Sequence, residues 1–129
     1  MGHESLKALV VDDSMAMRIV LLDILERIGF NRSNVTEAVD GVDALEKAKA
    51  ATYDIILMDW NMPNKNGLEA LKELRESGDK TPLMMVTTEG ERAHVVEAIK
   101  AGANNYLVKP FNSTDLSEKI EQLLASIQA

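Results

Sequence analysis

The sequence contains no cysteine, which removes disulfide scaffolds, thiolate metal centres and thiol nucleophiles at one stroke. It also lacks any apolar run near the roughly 18 residues of a membrane span, and Met1-Gly2-His3-Glu4-Ser5-Leu6-Lys7 has no signal-peptide character. A cytoplasmic protein with no membrane partner is expected. Positive charge is scarce, since 14 Lys and Arg against 21 Asp and Glu leave a net charge of -7. Phosphate-backbone contacts need a basic face, so nucleic acid is not expected as a partner and other proteins are. What remains is ordinary globular composition: 129 residues, 46% hydrophobic and 27% charged. That length suits one domain, residues 1–129, able to bury its own core.

The chain is organised around Tyr53-Asp54-Ile55-Ile56-Leu57-Met58-Asp59-Trp60-Asn61-Met62-Pro63. Ile55 to Met58 form a short continuous apolar run, the pattern of a strand covered on both faces in a parallel sheet. It stops at Asp59, ahead of a loop that Asn61, Pro63, Asn64, Asn66 and Gly67 mark as turn-rich. Ala8-Leu9-Val10-Val11 repeats the pattern and ends in Asp12 and Asp13. From Ser14 the period changes, with Met17, Val20 or Leu21, Ile24 or Leu25, and Ile28 at helical spacing before a Gly29 stop. Val35-Thr36-Glu37-Ala38 is a strand candidate, followed by a helix from near Asp40-Gly41 with Val42, Leu45 and Ala48. Leu68, Leu71 and Leu74 stripe a third helix that fades in Glu76-Ser77-Gly78-Asp79.

Leu83-Met84-Met85-Val86 reads as a fourth strand, ending in Thr87 and Thr88. Glu91 to Ala101 reads as a helix with Val95, Ala98 and Ile99 inward and Gly102 closing it. Tyr106-Leu107-Val108 is the last strand, ended by Lys109 before Pro110. Leu116, Ile120, Leu123 or Leu124, and Ile127 stripe the final helix, with Asn112, Ser113 and Thr114 as candidate N-caps. Five strands alternating with five helices through short connections imply an α/β fold: a largely parallel sheet, helices on both faces, right-handed crossovers.

Alternation brings every strand's carboxyl end to one sheet edge, where Asp12, Asp13, Asp59, Thr87 and Lys109 should converge. Three carboxylates within about 5 Å repel by roughly 3 kcal/mol per pair at an effective dielectric near 20, more than Lys109 alone would offset. A divalent cation is the natural remedy, and hard oxygen ligands suit Mg²⁺. A metal, a spare carboxylate, a hydroxyl and a lysine suit phosphoryl transfer, with Asp59 as the nucleophile of an aspartyl-phosphate.

Val10-Val11-Asp12-Asp13, Asp59-Trp60-Asn61-Met62-Pro63, Val86-Thr87 and Tyr106-Leu107-Val108-Lys109-Pro110-Phe111 resemble the receiver domains of two-component response regulators, most closely the single-domain chemotaxis members. The resemblance runs from about Leu6 to Ile127. It implies a (βα)5 flavodoxin-like, doubly wound fold with strand order 2-1-3-4-5, which sets Asp12, Asp13 and Asp59 around one switch point. It further implies that Asp59 accepts phosphate from a histidine kinase. Asp12 or Asp13, with Asp59 and the Asn61 backbone carbonyl, would hold Mg²⁺, and Thr87 and Lys109 would bind phosphoryl oxygens. Tyr106 would move with Thr87 and turn inward on phosphorylation, and Lys109-Pro110 would be cis. Asn61 and Glu89 would flank the attacking water's path and give a short-lived phosphate. On this reading the protein is not an enzyme but a monomeric signalling phosphoacceptor that phosphorylates and dephosphorylates itself. Its output would be docking, with the flagellar motor switch as the target the resemblance implies and a phosphatase as a further partner.

Other features carry less. His3 falls in a terminus expected to fray and His94 on a helix face expected to be exposed, so neither is a candidate phosphate carrier. The seven methionines are expected to fill core space, and Trp60 to cover the site. Two competing functions share the chemistry: a phosphorelay intermediate that hands its phosphate to another histidine, and a phospho-aspartate phosphatase of small molecules. The second places an Asp two residues after its nucleophile, where this chain has Asn61. A flavin carrier would need a glycine- and hydroxyl-rich loop after the first strand, and Asp12-Asp13 would repel its phosphate.

Overall fold

The structure is a computed structural model that describes residues 3–126. Five strands, β1 (Ala8–Val11), β2 (Val35–Ala38), β3 (Ile55–Met58), β4 (Leu83–Thr87) and β5 (Asn105–Val108), alternate with α1 (Met15–Arg27), α2 (Gly41–Ala50), α3 (Gly67–Glu76), α4 (Arg92–Ala101) and α5 (Ser113–Ala125). All pairings are parallel, in the order β2-β1-β3-β4-β5. β1, β3 and β4 are buried along their whole length, as continuous apolar runs in a sheet covered on both faces should be.

Alternate side chains feed two cores. On one face Leu9, Val11, Ile56, Met58 and Met85 pack with Leu68, Leu71, Leu74 and Ala98 of α3 and α4. On the other, Val10, Ile55, Leu57, Met84 and Val86 meet Leu21, Ile24 and Leu25 of α1 and Leu116, Ile120 and Leu123 of α5. Met58, Met84 and Met85 fill the core as expected, whereas Met15 is exposed.

The helix starts follow from local hydrogen bonding. Ser14, Asp40, Asn66 and Asn112 each cap a helix by accepting from the amide three residues on, and Asn66 with Glu69 completes a capping box. Each such cap stabilises by about 1 kcal/mol. Asn112 is thus the cap among the three candidates before α5. Gly102 ends α4 in the left-handed region at φ 116°, a conformation glycine enters without strain.

Several expectations need correction. Ile99 is 46% exposed and Val42 41%; the inward stripe of α4 is Val95 and Ala98, and that of α2 runs through Ala44. In α1 Leu21, not Val20, is buried, together with both Ile24 and Leu25. His3 is anchored: its amide donates to the Gly29 carbonyl, its Nε2 lies 3.1 Å from Glu121 Oε1, and its ring rests on Phe30. Ile127, placed on the final stripe, lies outside the described residues. The Lys109-Pro110 bond, by contrast, is cis as the resemblance implies.

Candidate functional site

Register assembles the site. Val11 is paired with Met58 and Thr87 with Val108, so the next residues in β1, β3 and β5 place Asp12 beside Asp59 and Lys109 beside Thr87. The Asp59 amide donates to Val11 O (2.9 Å) and the Lys109 amide to Thr87 O (2.8 Å), which fixes both backbones where the sheet ends. Asp12, Asp59 and Thr87 are buried, while Asp13 is exposed.

Lys109 Nζ reaches between two carboxylates, 2.9 Å from Asp12 Oδ2 and 3.1 Å from Asp59 Oδ2. The other oxygens are held by the backbone: Asp12 Oδ1 accepts from the Ser14 amide (2.8 Å) and Asp59 Oδ1 from the Trp60 amide (2.7 Å). Burial raises the Asp12 carboxyl above the usual Asp range. The Lys109 hydrogen bond, the Ser14 amide and the Lys109 charge oppose that rise without cancelling it, and the Asp59 charge adds to it. Burial alone would lower Lys109, but its hydrogen bond to Asp12 and the charges of Asp59 and Asp12 together outweigh it, and the ammonium is held above its ordinary value. Both groups of one pair are therefore raised, because at Asp12 the loss of water dominates the gain of a partner.

Carboxylate oxygens of Asp12, Asp13 and Asp59 lie within 4.8 Å of one another. Three hard, anionic oxygen donors around one opening are the donor set Mg²⁺ takes, and one ammonium shared by two of them leaves Asp13 without a cation among the described residues. The residues fit the metal.

The loop after β3 is shaped around this opening. A side chain on Gly67 would place its Cβ 2.0 Å from Asp59 O, and the Gly67 amide donates to Trp60 O (2.8 Å). Only a glycine lets the start of α3 pass so close behind Asp59. Asn64, at φ 68°, donates from its side-chain Nδ2 to Asp40 Oδ2 (2.7 Å), tying the loop to the cap of α2. On the far side Asn61 Nδ2 donates to Glu89 Oε2 (2.9 Å), Thr87 Oγ1 accepts from the Glu89 amide (3.3 Å), and the Tyr106 hydroxyl donates to Glu89 O. Burial, then the charges of Glu89 and Asp59, push the Tyr106 phenol up to about 12. Tyr106 is buried in this structure, with its hydroxyl turned inward onto Glu89 O.

Sequence reasoning named every residue of the core constellation and missed those that hold it. Arg18 donates from Nη1 to Asp12 O (2.8 Å) and from Nε to Glu37 Oε1 (2.8 Å), clamping the end of β1. Nothing in the sequence distinguishes that arginine from a solvated one. His94 was read as exposed, yet its ring packs edge-on against Trp60 at 5.1 Å between centroids. Its spacing from Glu89 across a helix start was the available signal.

Residues 8–121 match the family described as the response regulator receiver domain. The chain is 45% identical over 124 residues to the chemotaxis protein CheY1 of Helicobacter pylori, covering 94% of this chain and 98% of that one. It is 39% identical over 123 residues to the chemotaxis protein CheY-3 of Vibrio cholerae, covering 94% and 93%. Among solved structures, the receiver domain of Francisella response regulator 1452 superposes with a TM-score of 0.86 at 30% identity, covering 95% of this chain and 98% of that chain. Vibrio cholerae chemotaxis protein CheY4 superposes with 0.82 at 38%, covering 92% and 98%.

Proposed function

The chain belongs to the response regulator receiver domain family, and from that premise we propose that Asp59 is its phosphoacceptor and that its phosphorylation serves chemotaxis. Receiver domains take their phosphoryl group on an aspartate from a histidine kinase, generally with Mg²⁺, and pass the signal to downstream proteins. The observation that carries the assignment to Asp59 is its place: a buried carboxylate at the end of the central strand, 3.1 Å from Lys109 Nζ and within 4.8 Å of two further carboxylates.

In the proposed step an Asp59 oxygen attacks the phosphorus of a phosphohistidine. The new P–O bond forms as the P–N bond breaks, and the imidazole leaves with the electron pair. Lys109 and the Thr87 hydroxyl sit on the same edge to take phosphoryl oxygens, so the charge gathered there is met by groups already in position. Asp12, Asp13 and Asp59, with the Asn61 carbonyl on the same loop, would hold Mg²⁺, which when bound neutralises phosphoryl and carboxylate charge. Hydrolysis of the acyl phosphate returns Asp59, with Asn61 and Glu89 beside the water's approach. Self-phosphorylation by small donors and self-dephosphorylation follow from this arrangement, and no separate substrate turns over.

The relatives' chemotaxis names support a motility output, and we read the flagellar motor switch as the target class. α4 and α5 carry Arg92, Lys100 and Lys119 but also Glu97, Glu118 and Glu121, with Glu91 just ahead of α4, so an acidic switch peptide gains little electrostatic steering and modest affinity is expected. A cytoplasmic, monomeric protein of one receiver domain is the form this role takes. Phosphate transfer onward to a histidine phosphotransfer protein is the relay alternative. Small-molecule phosphatase activity is disfavoured by Asn61, whose amide cannot serve as the acid expected there.

Intact-mass analysis after acetyl phosphate treatment tests the assignment. One phosphoryl group is expected with Mg²⁺, little without it, and none on Asp59→Asn. A variant labelled at the wild-type rate would refute the proposal.

A further inference from the structure

His94 Nδ1 is sealed from solvent and has no hydrogen-bond partner, although Glu89 Oε1 lies 3.5 Å away. The two observations do not conflict: a separation of 3.5 Å is within reach of an ion pair but too long for a well-formed hydrogen bond. A buried ring nitrogen left unpaired carries a desolvation penalty, and among the described residues the anion beside it is that carboxylate. A small rotation of either side chain closes the bond. The tautomer with the proton on Nδ1 is the one that can donate, because the other would face a lone pair to the carboxylate.

Glu89 is otherwise held at three points. Oε2 accepts from Asn61 Nδ2 (2.9 Å), the amide donates to Thr87 Oγ1 (3.3 Å), and the carbonyl accepts from the Tyr106 hydroxyl. His94 supplies the fourth side. Its own amide is fixed in the first turn of α4 by Glu91 O (3.0 Å), and its ring is braced edge-on against Trp60, next to Asp59. The imidazole therefore stands on a rigid base and faces the one Glu89 oxygen that Asn61 does not hold.

We infer that His94 is a positioning residue for phosphate turnover: donating from Nδ1, it holds the Glu89 carboxylate over Asp59, where Glu89 and Asn61 set the path of the attacking water. The inference rests on the proposed roles of Asp59, Asn61 and Glu89. It extends them to a residue that touches neither the phosphoryl group nor its ligands. Releasing Glu89 lets its carboxylate swing into solvent and removes a preorganised acceptor from the water's path, which slows hydrolysis.

The test compares decay of phospho-Asp59, followed by intact mass in Mg²⁺ buffer, in wild type, His94→Leu and His94→Asn. Leucine keeps bulk against Trp60 without a donor. Asparagine places its amide near the position of Nδ1, where glutamine would reach Nε2. Decay about threefold to tenfold slower in H94L, with H94N close to wild type, is the expected result. Equal decay in H94L and wild type would overturn the inference and leave the phosphoacceptor reading intact. Equal slowing in H94L and H94N would overturn it too, assigning the effect to packing on Trp60. Wild type that takes up no phosphoryl group would overturn the phosphoacceptor reading, and this inference with it. Nitrogen-15 spectra of the wild-type imidazole give a check independent of folding in the variants: a proton on Nδ1 supports the inference, and one on Nε2 alone refutes it.

Discussion

Replacing Lys109 by Met keeps most of the aliphatic stem and removes the one ammonium between two buried carboxylates. Its Nζ lies 2.9 Å from Asp12 Oδ2 and 3.1 Å from Asp59 Oδ2, and at an effective dielectric near 20 each contact is an attraction of about 5 kcal/mol. Carboxylates within 4.8 Å of each other repel by about 3.5 kcal/mol on the same scale. The ammonium's own desolvation offsets much of the attraction, so the measurable loss is the cost of leaving buried charge unpaired. Deleting one partner of a buried pair costs about 3–5 kcal/mol; with the Lys109 side chain still 13% exposed, the low end applies, about 3 kcal/mol. For a chain of this size that lowers Tm by roughly 10 °C. The loss must also depend on pH. Burial already raises the Asp12 carboxyl, and losing the Lys109 hydrogen bond raises it further. A carboxyl raised in the folded state contributes stability that is fully present below its unfolded value, near 3.9, and lost as pH rises through the folded one. The deficit of K109M is therefore largest at neutral pH and shrinks on acidification toward the unfolded carboxyl value, as Asp12 takes up a proton. Urea unfolding followed by far-UV circular dichroism at pH 7 and pH 5, without Mg²⁺, measures both. A loss below about 1 kcal/mol at pH 7, or an equal loss at both values, refutes the account of Lys109 as the neutralising cation.

Gly67→Ala must push α3 or the loop away from Asp59 O, which a Cβ would approach to 2.0 Å. Asp59 is then displaced while remaining chemically intact, and labelling by acetyl phosphate is expected to fall by about tenfold or more. Labelling at the wild-type rate would show that the close approach does not position the acceptor. Tyr106, pushed up to about 12 mainly by burial, contributes stability that is present below its unfolded value near 10 and lost as pH rises through about 12. Ultraviolet titration should show one phenol ionising late, together with alkaline unfolding, and a Tyr106→Phe variant should lack that step.

The sheet was legible because its three inner strands are apolar runs without alternation, Ala8–Val11, Ile55–Met58 and Leu83–Val86, each closed by a polar residue. Strand order was not contained in that pattern and came from family resemblance, since run length and composition do not say which strands are neighbours. Helix faces were less legible where a stripe is ambiguous. Ile99 and Val42 are as apolar as the residues beside them, but the buried faces of their helices are set by close approach through Ala98 and Ala44, which periodicity weighs too lightly. The site was legible at its centre, because strand ends announce themselves, and illegible in its supports. Arg18 and Gly67 act through a backbone carbonyl and a missing Cβ, which leave no spacing to read, whereas for His94 the spacing from Glu89 was the only trace.

The state of Tyr106 bears on how a signal could leave this site. A receiver whose aromatic turned inward only on phosphorylation would carry much of its response in that rotation. Here the ring is buried and its hydroxyl donates to Glu89 O. Ligands shift equilibria only by their differential affinity for the two states, so the difference has to lie where a phosphoryl group would change contacts. Thr87 is that point. Its hydroxyl accepts from the Glu89 amide at 3.3 Å, and a move toward a phosphoryl oxygen would pull on the residue that also receives Tyr106, Asn61 and, by the inference above, His94. The response then becomes a shift of the Glu89 segment and the start of α4, with Tyr106 as its latch. α4 packs against α3 with only Ala98 fully buried, so it has little apolar surface to lose by moving.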